Sequence, residues 1–496
     1  MNLMMLLEMA SQGMGDRVAV QCEGDRWGVE ELFAAAGRVA ARIRASGVQH
    51  VSVLDVSSPA VPLALFAASW AGVPFVPLNY RLTGPELDAL IERVTPALLV
   101  TDAERAPKLR GRPGLEVWTR EELLRVGRCD EAPPESDWGM DPDEIAILLF
   151  TSGTTGVPKA AVLRHKHMVS YILGSVEFMA AAPEDAALVS VPPYHVAGTA
   201  AVLSSLYAGR RIVQLPGFAA EAWLKTADEA GVTHAFVVPT MLARIVAAME
   251  EKGLPAPSAL RSLAYGGGKM PLPVIERAMG HFPDVAFTNA YGLTETSSTI
   301  AVLGPAEHRA AHASADEAAR RRLGSAGLPL PGVEVEIRDE DGKAVAAGQR
   351  GEIFVRGEQV SGEYLGRGSQ LVAGGWFPTH DGGYLDEEGY LFVEGRIDDV
   401  IVRGGENLSP GEIEDVLHAH PAVADCAVVG IPDEQWGEAV AAAVVLKDGA
   451  QADTAELQAW VKQHLRSSRV PEQIRFDSEL PYNETGKLLR RKIRFA

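Results

Sequence analysis

Thr151-Ser-Gly-Thr-Thr-Gly-Val-Pro-Lys159 gathers hydroxyls, two glycines and a lysine directly behind the apolar run Ile145-Ala-Ile-Leu-Leu-Phe150. Gly153 and Gly156 can take positive φ, so that backbone N–H groups converge on an anion. Ser152, Thr154 and Thr155 add hydroxyl donors, and Lys159 adds a full charge. Such a loop is suited to holding a polyphosphate. It departs from a Walker A loop, because Val157 and Pro158 stand between its last glycine and its lysine. Taken alone, a turn rich in Ser, Thr and Gly also serves as an ordinary connection.

Four further segments carry chemistry. Tyr265-Gly-Gly-Gly-Lys-Met-Pro271 follows a strand pattern over 260–264, and its glycines let a flat base approach the backbone. Asn289-Ala-Tyr-Gly-Leu-Thr-Glu295 offers an aromatic face, a hydroxyl and a carboxylate able to help hold magnesium. Gly375-Trp-Phe-Pro-Thr-His-Asp381 supplies a carboxylate suited to a ribose diol. Pro481-Tyr-Asn-Glu-Thr-Gly-Lys487 sets a lysine on a loop ahead of a basic end.

Alternating helical and strand patterns must position these segments. Val29, Leu32, Phe33, Ala36, Val39, Ala40 and Ile43 share one helical stripe stopped by Gly47, and 51–56 reads as a strand. Residues 62–70 read as a helix stopped by Gly72, and 232–238 as a buried strand before a helix over 241–251. This alternation predicts α/β architecture with largely parallel sheets. Short strand patterns over 324–395, including 333–337 and 351–356, predict a smaller antiparallel β unit. A compact α+β unit follows Arg396, with helices over 411–418 and 454–465 and strands over 424–431 and 439–446. Residues 307–322 have helical propensity but a weak apolar stripe, and read as a solvated surface segment.

With 496 residues, 47% hydrophobic and 23% charged, the chain has the composition of a multidomain globular protein. Its formal net charge of −20 argues against nucleic-acid binding, so an anionic ligand must be met by local positive charge. Cys22, Cys129 and Cys426 lie far apart without CxxC spacing, which argues against disulfides or a thiolate metal site. No signal peptide, peroxisomal address or membrane-length apolar run is evident, so a cytoplasmic location is expected.

In this order, and joined by Gly395-Arg-Ile-Asp-Asp-Val400 and Arg403-Gly-Gly-Glu-Asn407, the segments resemble the adenylate-forming superfamily. That superfamily contains acyl-CoA synthetases, luciferases and nonribosomal-peptide adenylation domains. The resemblance implies a large N-terminal domain (1–397) of two βα subdomains and a small β-barrel-like subdomain, then a small mobile α+β domain (398–496). It implies ATP, Mg²⁺ and coenzyme A as cofactor and co-substrates. Thr151, Ser152, Gly153, Thr154, Thr155, Gly156 and Lys159 would cover the β- and γ-phosphates; Gly267, Gly268, Asn289 and Tyr291 would frame adenine. Asp381 would bind the ribose hydroxyls with Arg396 nearby, Thr154 and Glu295 would hold magnesium, and Thr294 would contact the α-phosphate. Lys487 would bridge the acid and the α-phosphate, and Asp398 would be the hinge.

The same resemblance places His195, Val196, Thr199, Phe236, Gly266, Ala290, Gly292, Ser297 and Ser298 around the acid. Where amino-acid-activating relatives carry an aspartate, Val196 has no charge for an ammonium, which favours a fatty or aromatic acid. His195 reads as a pocket residue common in CoA ligases or as a packed core histidine. Gly404, Gly405, Trp436 and Arg469 would lie toward CoA; Trp436 reads equally as a core residue, Arg469 as a solvated arginine, and Arg490, Arg491, Lys492 and Arg494 as a soluble end. The implied activity is AMP-forming acid–CoA ligation. Its alternatives are loading of a carrier-protein phosphopantetheine with an acyl or β-amino acyl group, an inactive nucleotide-binding homologue, and luciferase-like oxidation. In one departure, His380 stands where relatives have glycine before the ribose aspartate, which puts local backbone freedom in doubt.

Overall fold

The computed structural model describes residues 1–151, 158–403, 406–433, 435–483 and 488–495, with Asn407 described by its backbone. The described residues form four sheets. One has nine strands and one has eight; the nine-stranded sheet has a parallel centre with antiparallel strands at both ends, and the eight-stranded sheet is parallel from one edge and antiparallel toward the other. Helices Val29–Ser46, Ala60–Ala71 and Val196–Ala208 pack in the core cluster that joins the two sheets. Ala60–Ala71 is apolar almost all round and is buried almost throughout, as a helix between two layers must be. Gly47 and Gly72 end two of these helices in the left-handed conformation, at φ 69° and 77°.

A four-stranded antiparallel sheet follows, in the order Glu334–Arg338, Gly351–Arg356, Phe377–Leu385, Leu391–Arg396. Its core continues into Ile300 and Ala301 of the nine-stranded sheet. Past the short turn Ile397–Asp399 comes a five-stranded sheet covered by helices Pro410–His418 and Thr454–His464, with a core of its own. Among the described residues no helix is long and apolar enough to cross a membrane.

Residues 307–322 depart from the expected solvated segment. They form helices Pro305–Ala313 and Glu317–Arg321, and the first docks through buried His308 and Ala311. His308 Nε2 lies 2.8 Å from the Tyr265 hydroxyl, so one polar side chain supplies the anchor that the apolar stripe lacks. Arg490 is likewise no solvated terminus. Its guanidinium meets both oxygens of buried Glu414 at 2.6 Å, inside the small domain.

Candidate active site

The phosphate-type motif is flanked by a pair of strands. Strands Ile145–Thr151 and Lys159–Arg164 pair antiparallel, and Thr151 and Lys159 are register partners at the mouth of the pair. The sequence implies the turn but not the returning strand. Arg93 donates to the Pro158 carbonyl at 2.6 Å, bringing a cation to the strand pair from another element. Ser152, Gly153, Thr154, Thr155 and Gly156 lie outside the described residues, as do Gly404, Gly405 and Lys487.

Three adjacent strands carry Phe236, Gly266, Asn289 and Ala290. Ser262–Gly266 runs parallel between His234–Val237 and Ala286–Leu293, with Gly266 opposite Ala290 and Tyr265 opposite Asn289. The strand ends therefore bring together Phe236, Gly266, Ala290 and the residues that follow. A Cβ on Gly266 would lie 2.2 Å from the Ala290 carbonyl and 3.5 Å from the Phe236 ring. Close approach of the two backbones thus demands glycine there, independently of any ligand. Gly267 and Gly268 are exposed beyond it and leave an open backbone shelf. Asn289 donates its amide to the Ser325 carbonyl at 2.8 Å, which fixes its orientation.

His195 caps the helix Val196–Ala208, accepting the Ala197 N–H on Nδ1 at 3.2 Å. With Nδ1 accepting, the neutral ring carries its proton on Nε2. Half-buried at a helix start, His195 is thus neither a loose pocket residue nor a fully packed core one. Val196 and Thr199 are buried on the helix that it caps.

Asp381 and Arg396 are register partners on adjacent strands. Arg396 Nε lies 3.2 Å from Asp381 Oδ1, and the Tyr291 hydroxyl donates to Oδ2 at 2.7 Å. Burial, followed by the adjacent carboxylate, pushes the Tyr291 phenol well above its ordinary range, so it remains a donor. Thr379 braces the corner: its hydroxyl accepts the Asp381 N–H at 3.1 Å, and its carbonyl accepts from Arg396 at 2.7 Å. His380 adopts φ 58°, a left-handed backbone conformation that glycine takes freely and that is held here by a residue with a side chain. That side chain lies 3.2 Å from Glu352.

Thr294, Glu295 and Thr296 form a short 3-10 turn after the strand carrying Tyr291. Ser297 and Ser298 then take φ 58° and 105°, a strained exit held by Gln359. The Gln359 side-chain amide donates to the Thr296 and Thr299 carbonyls at 3.0 and 2.7 Å, and the Gln359 backbone carbonyl accepts the Ser297 hydroxyl at 2.8 Å. Ser297 is therefore fully buried scaffolding beside Gly292 and Ser298, with its hydroxyl already engaged. Glu295 is buried, and the Tyr364 hydroxyl donates to its Oε1 at 2.5 Å. Lys159 Nζ lies 5.2 Å from the centre of the Tyr364 ring, so Tyr364 joins the mouth of the strand pair to the carboxylate. Tyr364 and Gln359 have no motif signal; each is 60 or more positions from its partner.

These residues fit the groups they would hold. The shelf at Gly267–Gly268 and the Asp381–Tyr291–Arg396 corner suit a nucleoside, with a carboxylate for the diol and a cation nearby. Among the described residues no cluster of three or more acidic, His or Cys side chains forms a self-sufficient metal site. Magnesium would rely on Glu295, Thr154 and phosphate oxygens, as this ion commonly does.

On the small domain, the Trp436 ring is 45% exposed, against a core role. Arg403 lies over it at 5.9 Å. Arg469 is 11% exposed and pairs with Glu412 at 2.7 Å and Glu406 at 2.8 Å, so it is not a solvated arginine. Asp398 is exposed in the turn between the two domains' sheets.

The sequence profile of AMP-binding enzymes matches residues 7–365, and that of the AMP-binding enzyme C-terminal domain matches 412–487. The chain belongs to the AMP-binding enzyme family. Feruloyl-CoA synthase of Amycolatopsis sp is 33% identical, with 96% of this chain and 95% of that protein covered. The fatty acid–[acyl-carrier-protein] ligase ScoC of Streptomyces coeruleorubidus is also 33% identical, over 96% and 92%. The o-succinylbenzoate CoA synthetase MenE of Bacillus subtilis, solved with its acyl-adenylate intermediate, superposes with a TM-score of 0.85 at 30% identity, covering 99% of this chain and 98% of that one. Another structure of MenE holds ATP and a magnesium ion. This family member is an AMP-forming acid–CoA ligase: it uses ATP and Mg²⁺ to convert a carboxylic acid to an acyl-adenylate, then transfers the acyl group to CoA.

Proposed function

We propose that the acid is aromatic, that the thiol is that of free CoA, and that the reaction proceeds in the cytoplasm, where both co-substrates are available. The observation that carries the acid assignment is the junction of Phe236, Gly266 and Ala290, read together with the uncharged Val196 on the helix that His195 caps. It has no carboxylate to pair an ammonium, and an aromatic edge faces the close Gly266–Ala290 approach. The feruloyl-CoA synthase and succinylbenzoate synthetase relatives support an aryl ligand.

The residues then divide the work. A carboxylic acid of pKa about 4 is ionised at neutral pH and attacks the α-phosphorus without a general base. The site must position the two anions and compensate developing charge. Asp381, braced by Arg396 and Tyr291, would hold the ribose, while Thr151 and Lys159 at the mouth of the strand pair, with 152–156 between them, would hold the departing pyrophosphate. Glu295, oriented by Tyr364, would hold Mg²⁺ with Thr154; the ion supplies charge compensation on the phosphates. Thr294 would meet the α-phosphate, and Lys487 would bridge it to the acid. We place the domain junction at 397/398, with Asp398 as the hinge that exchanges the Lys487 loop for the Gly404-Gly405 side before the thiol attacks the acyl carbonyl and expels AMP. Trp436, exposed on that side, would line the pantetheine path, with Arg469 holding the strand Glu406–Leu408 through Glu406.

The ScoC relationship favours one competing acceptor, a carrier-protein phosphopantetheine. A panel of aryl and alkyl acids assayed by pyrophosphate release, followed by thioester formation with CoA and with a holo carrier protein, decides both points. Preference for alkyl acids overturns the aryl assignment, and thioester only on the carrier overturns CoA.

A further inference from the structure

Two cations of the large domain meet one face of the small domain's first helix, Pro410–His418. Lys269, directly after the glycine triplet, donates to Asp415 Oδ2 at 2.7 Å and to the Gly411 carbonyl at 3.2 Å. Arg350 donates to Glu394 at 2.9 Å, and its far nitrogen lies 3.9 Å from Glu412. Glu412 and Asp415 are three positions apart and therefore share a helical face. The second Glu412 oxygen takes Arg469 at 2.7 Å, and Arg469 reaches Glu406 at 2.8 Å. Charge thus runs from the loop next to the adenine shelf, through the helix, to Glu406 on the strand Glu406–Leu408.

Steric fit accompanies the charges. A Cβ on Gly411 would lie 2.7 Å from the Glu394 carbonyl and 3.2 Å from Lys269 Nζ, so the helix start sits directly on the strand Leu391–Arg396. Yet the Lys269, Asp415 and Arg350 side chains are 38%, 45% and 53% exposed. Pairs this wet contribute little each and weaken with salt, which suits a contact that must be left in every turnover.

We propose that Lys269 and Arg350, closing on Asp415 and Glu412, form a releasable electrostatic latch that holds the small domain in this pose and sets the balance between the two half-reactions. They are positioning residues acting through the domain, not on the reacting atoms. The inference rests on the reading that the domain turns about Asp398.

The test uses the full-length enzyme and measures two rates separately: pyrophosphate release without CoA, and thioester formation from purified acyl-adenylate and CoA. Lys269→Gln, Asp415→Asn and Arg350→Gln should each shift the ratio of these rates by about twofold to fivefold, all in one direction. Lys269→Asp combined with Asp415→Lys should return it toward wild type, and Gly411→Ala, which wedges the seam without changing charge, should shift it the same way as the single charge variants. The wild-type ratio should drift with salt up to roughly 0.5 M, and less so in Lys269→Gln. A ratio unmoved by all of these variants, or both rates scaled equally, overturns the latch. Asp398→Pro separates the two ideas. If it moves the ratio while the latch variants do not, the latch alone fails; if it too leaves the ratio unchanged, the hinge reading fails first.

Discussion

The Asp381–Arg396 corner and the domain seam are both made of ion pairs, yet they are built in opposite ways. At the corner, Asp381 and Arg396 face each other across a β-ladder, the Asp381 side chain is 12% exposed, and Tyr291 closes a third side. Their positions are fixed by the ladder itself, so a ligand bound there would spend little on ordering them. At the seam, Lys269 and Asp415 reach across from separate domains with exposed side chains, and ordering those chains consumes much of what the pair gains. Burial, not the domain, sets this difference. Inside the small domain, Arg490 and Glu414 are as enclosed as the corner, with side chains 19% and 10% exposed.

The enclosed pair gives the largest expected effect. Glu414 also accepts the Val428 N–H at 2.8 Å, so Glu414→Gln keeps shape while leaving the Arg490 charge, among the described residues, with Asp399 alone at 4.0 Å. Breaking such a pair should cost about 3–5 kcal/mol, read by urea unfolding of the full chain. A loss below about 1 kcal/mol would put this pair in the same class as the exposed seam contacts. Next comes Lys487→Ala. Acid-dependent pyrophosphate release should fall by about 10² to 10³ while ATP binding persists, the loss typical of one preorganised donor. Unchanged release would remove Lys487 from its assigned role.

Asp381→Asn tests the corner itself. Removing the charge while keeping the shape should raise KM for ATP by about 10- to 100-fold, with a smaller change in kcat, because a charge-assisted contact is lost in both ground and transition states. Lys269→Gln should leave KM for ATP unchanged. Equal KM effects from the two variants would erase the distinction between a fixed corner and a releasable seam.

What was legible in the sequence follows the range of the interactions. The helix Val29–Ser46 with its Gly47 stop and the strand Gly351–Arg356 emerge at the positions that local periodicity implies, because neighbours along the chain decide them. The motifs that carry Asp381, Arg396 and Glu295 were legible because their residue types and spacing are distinctive, and the structure sets Asp381 opposite Arg396. The support was not. Tyr364 reaches Glu295 across 69 positions and Arg490 reaches Glu414 across 76, and no short window encodes such pairings. Trp436 misleads for a related reason: its size suggests a core, but its place at the start of a strand pair beside Gly437 leaves the ring outside. At 307–322 the error ran the other way, because His308 anchors the segment through a hydrogen bond that hydropathy does not register.

The smallest effect lies at the margin of the corner, with His380→Gly. A side chain at φ 58° is strained by on the order of 1 kcal/mol, which glycine relieves, but glycine frees the unfolded chain by about 0.4–1 kcal/mol, so the two terms nearly cancel. What remains is the contact with Glu352. That hydrogen bond, partly opposed by burial, holds the His380 pKa above its ordinary value, with Glu352 and Asp398 adding to the rise and Arg396 opposing it. Because the folded-state value is raised, the contact's stabilisation is fully present below about pH 6.5 and disappears as pH rises through the folded value. The stability difference between wild type and His380→Gly, followed as Tm from pH 5 to 9, should therefore favour the wild type at acid pH and decline to a plateau at alkaline pH; a flat difference would mean that the contact contributes nothing. The backbone N–H of residue 380 also donates to Glu352 at 3.2 Å, and glycine keeps that bond. Asp381 should thus stay in place, and KM for ATP should stay within about twofold, since glycine relaxes the site without removing a ligand. A KM rise matching that of Asp381→Asn would move His380 from the margin of the corner into it.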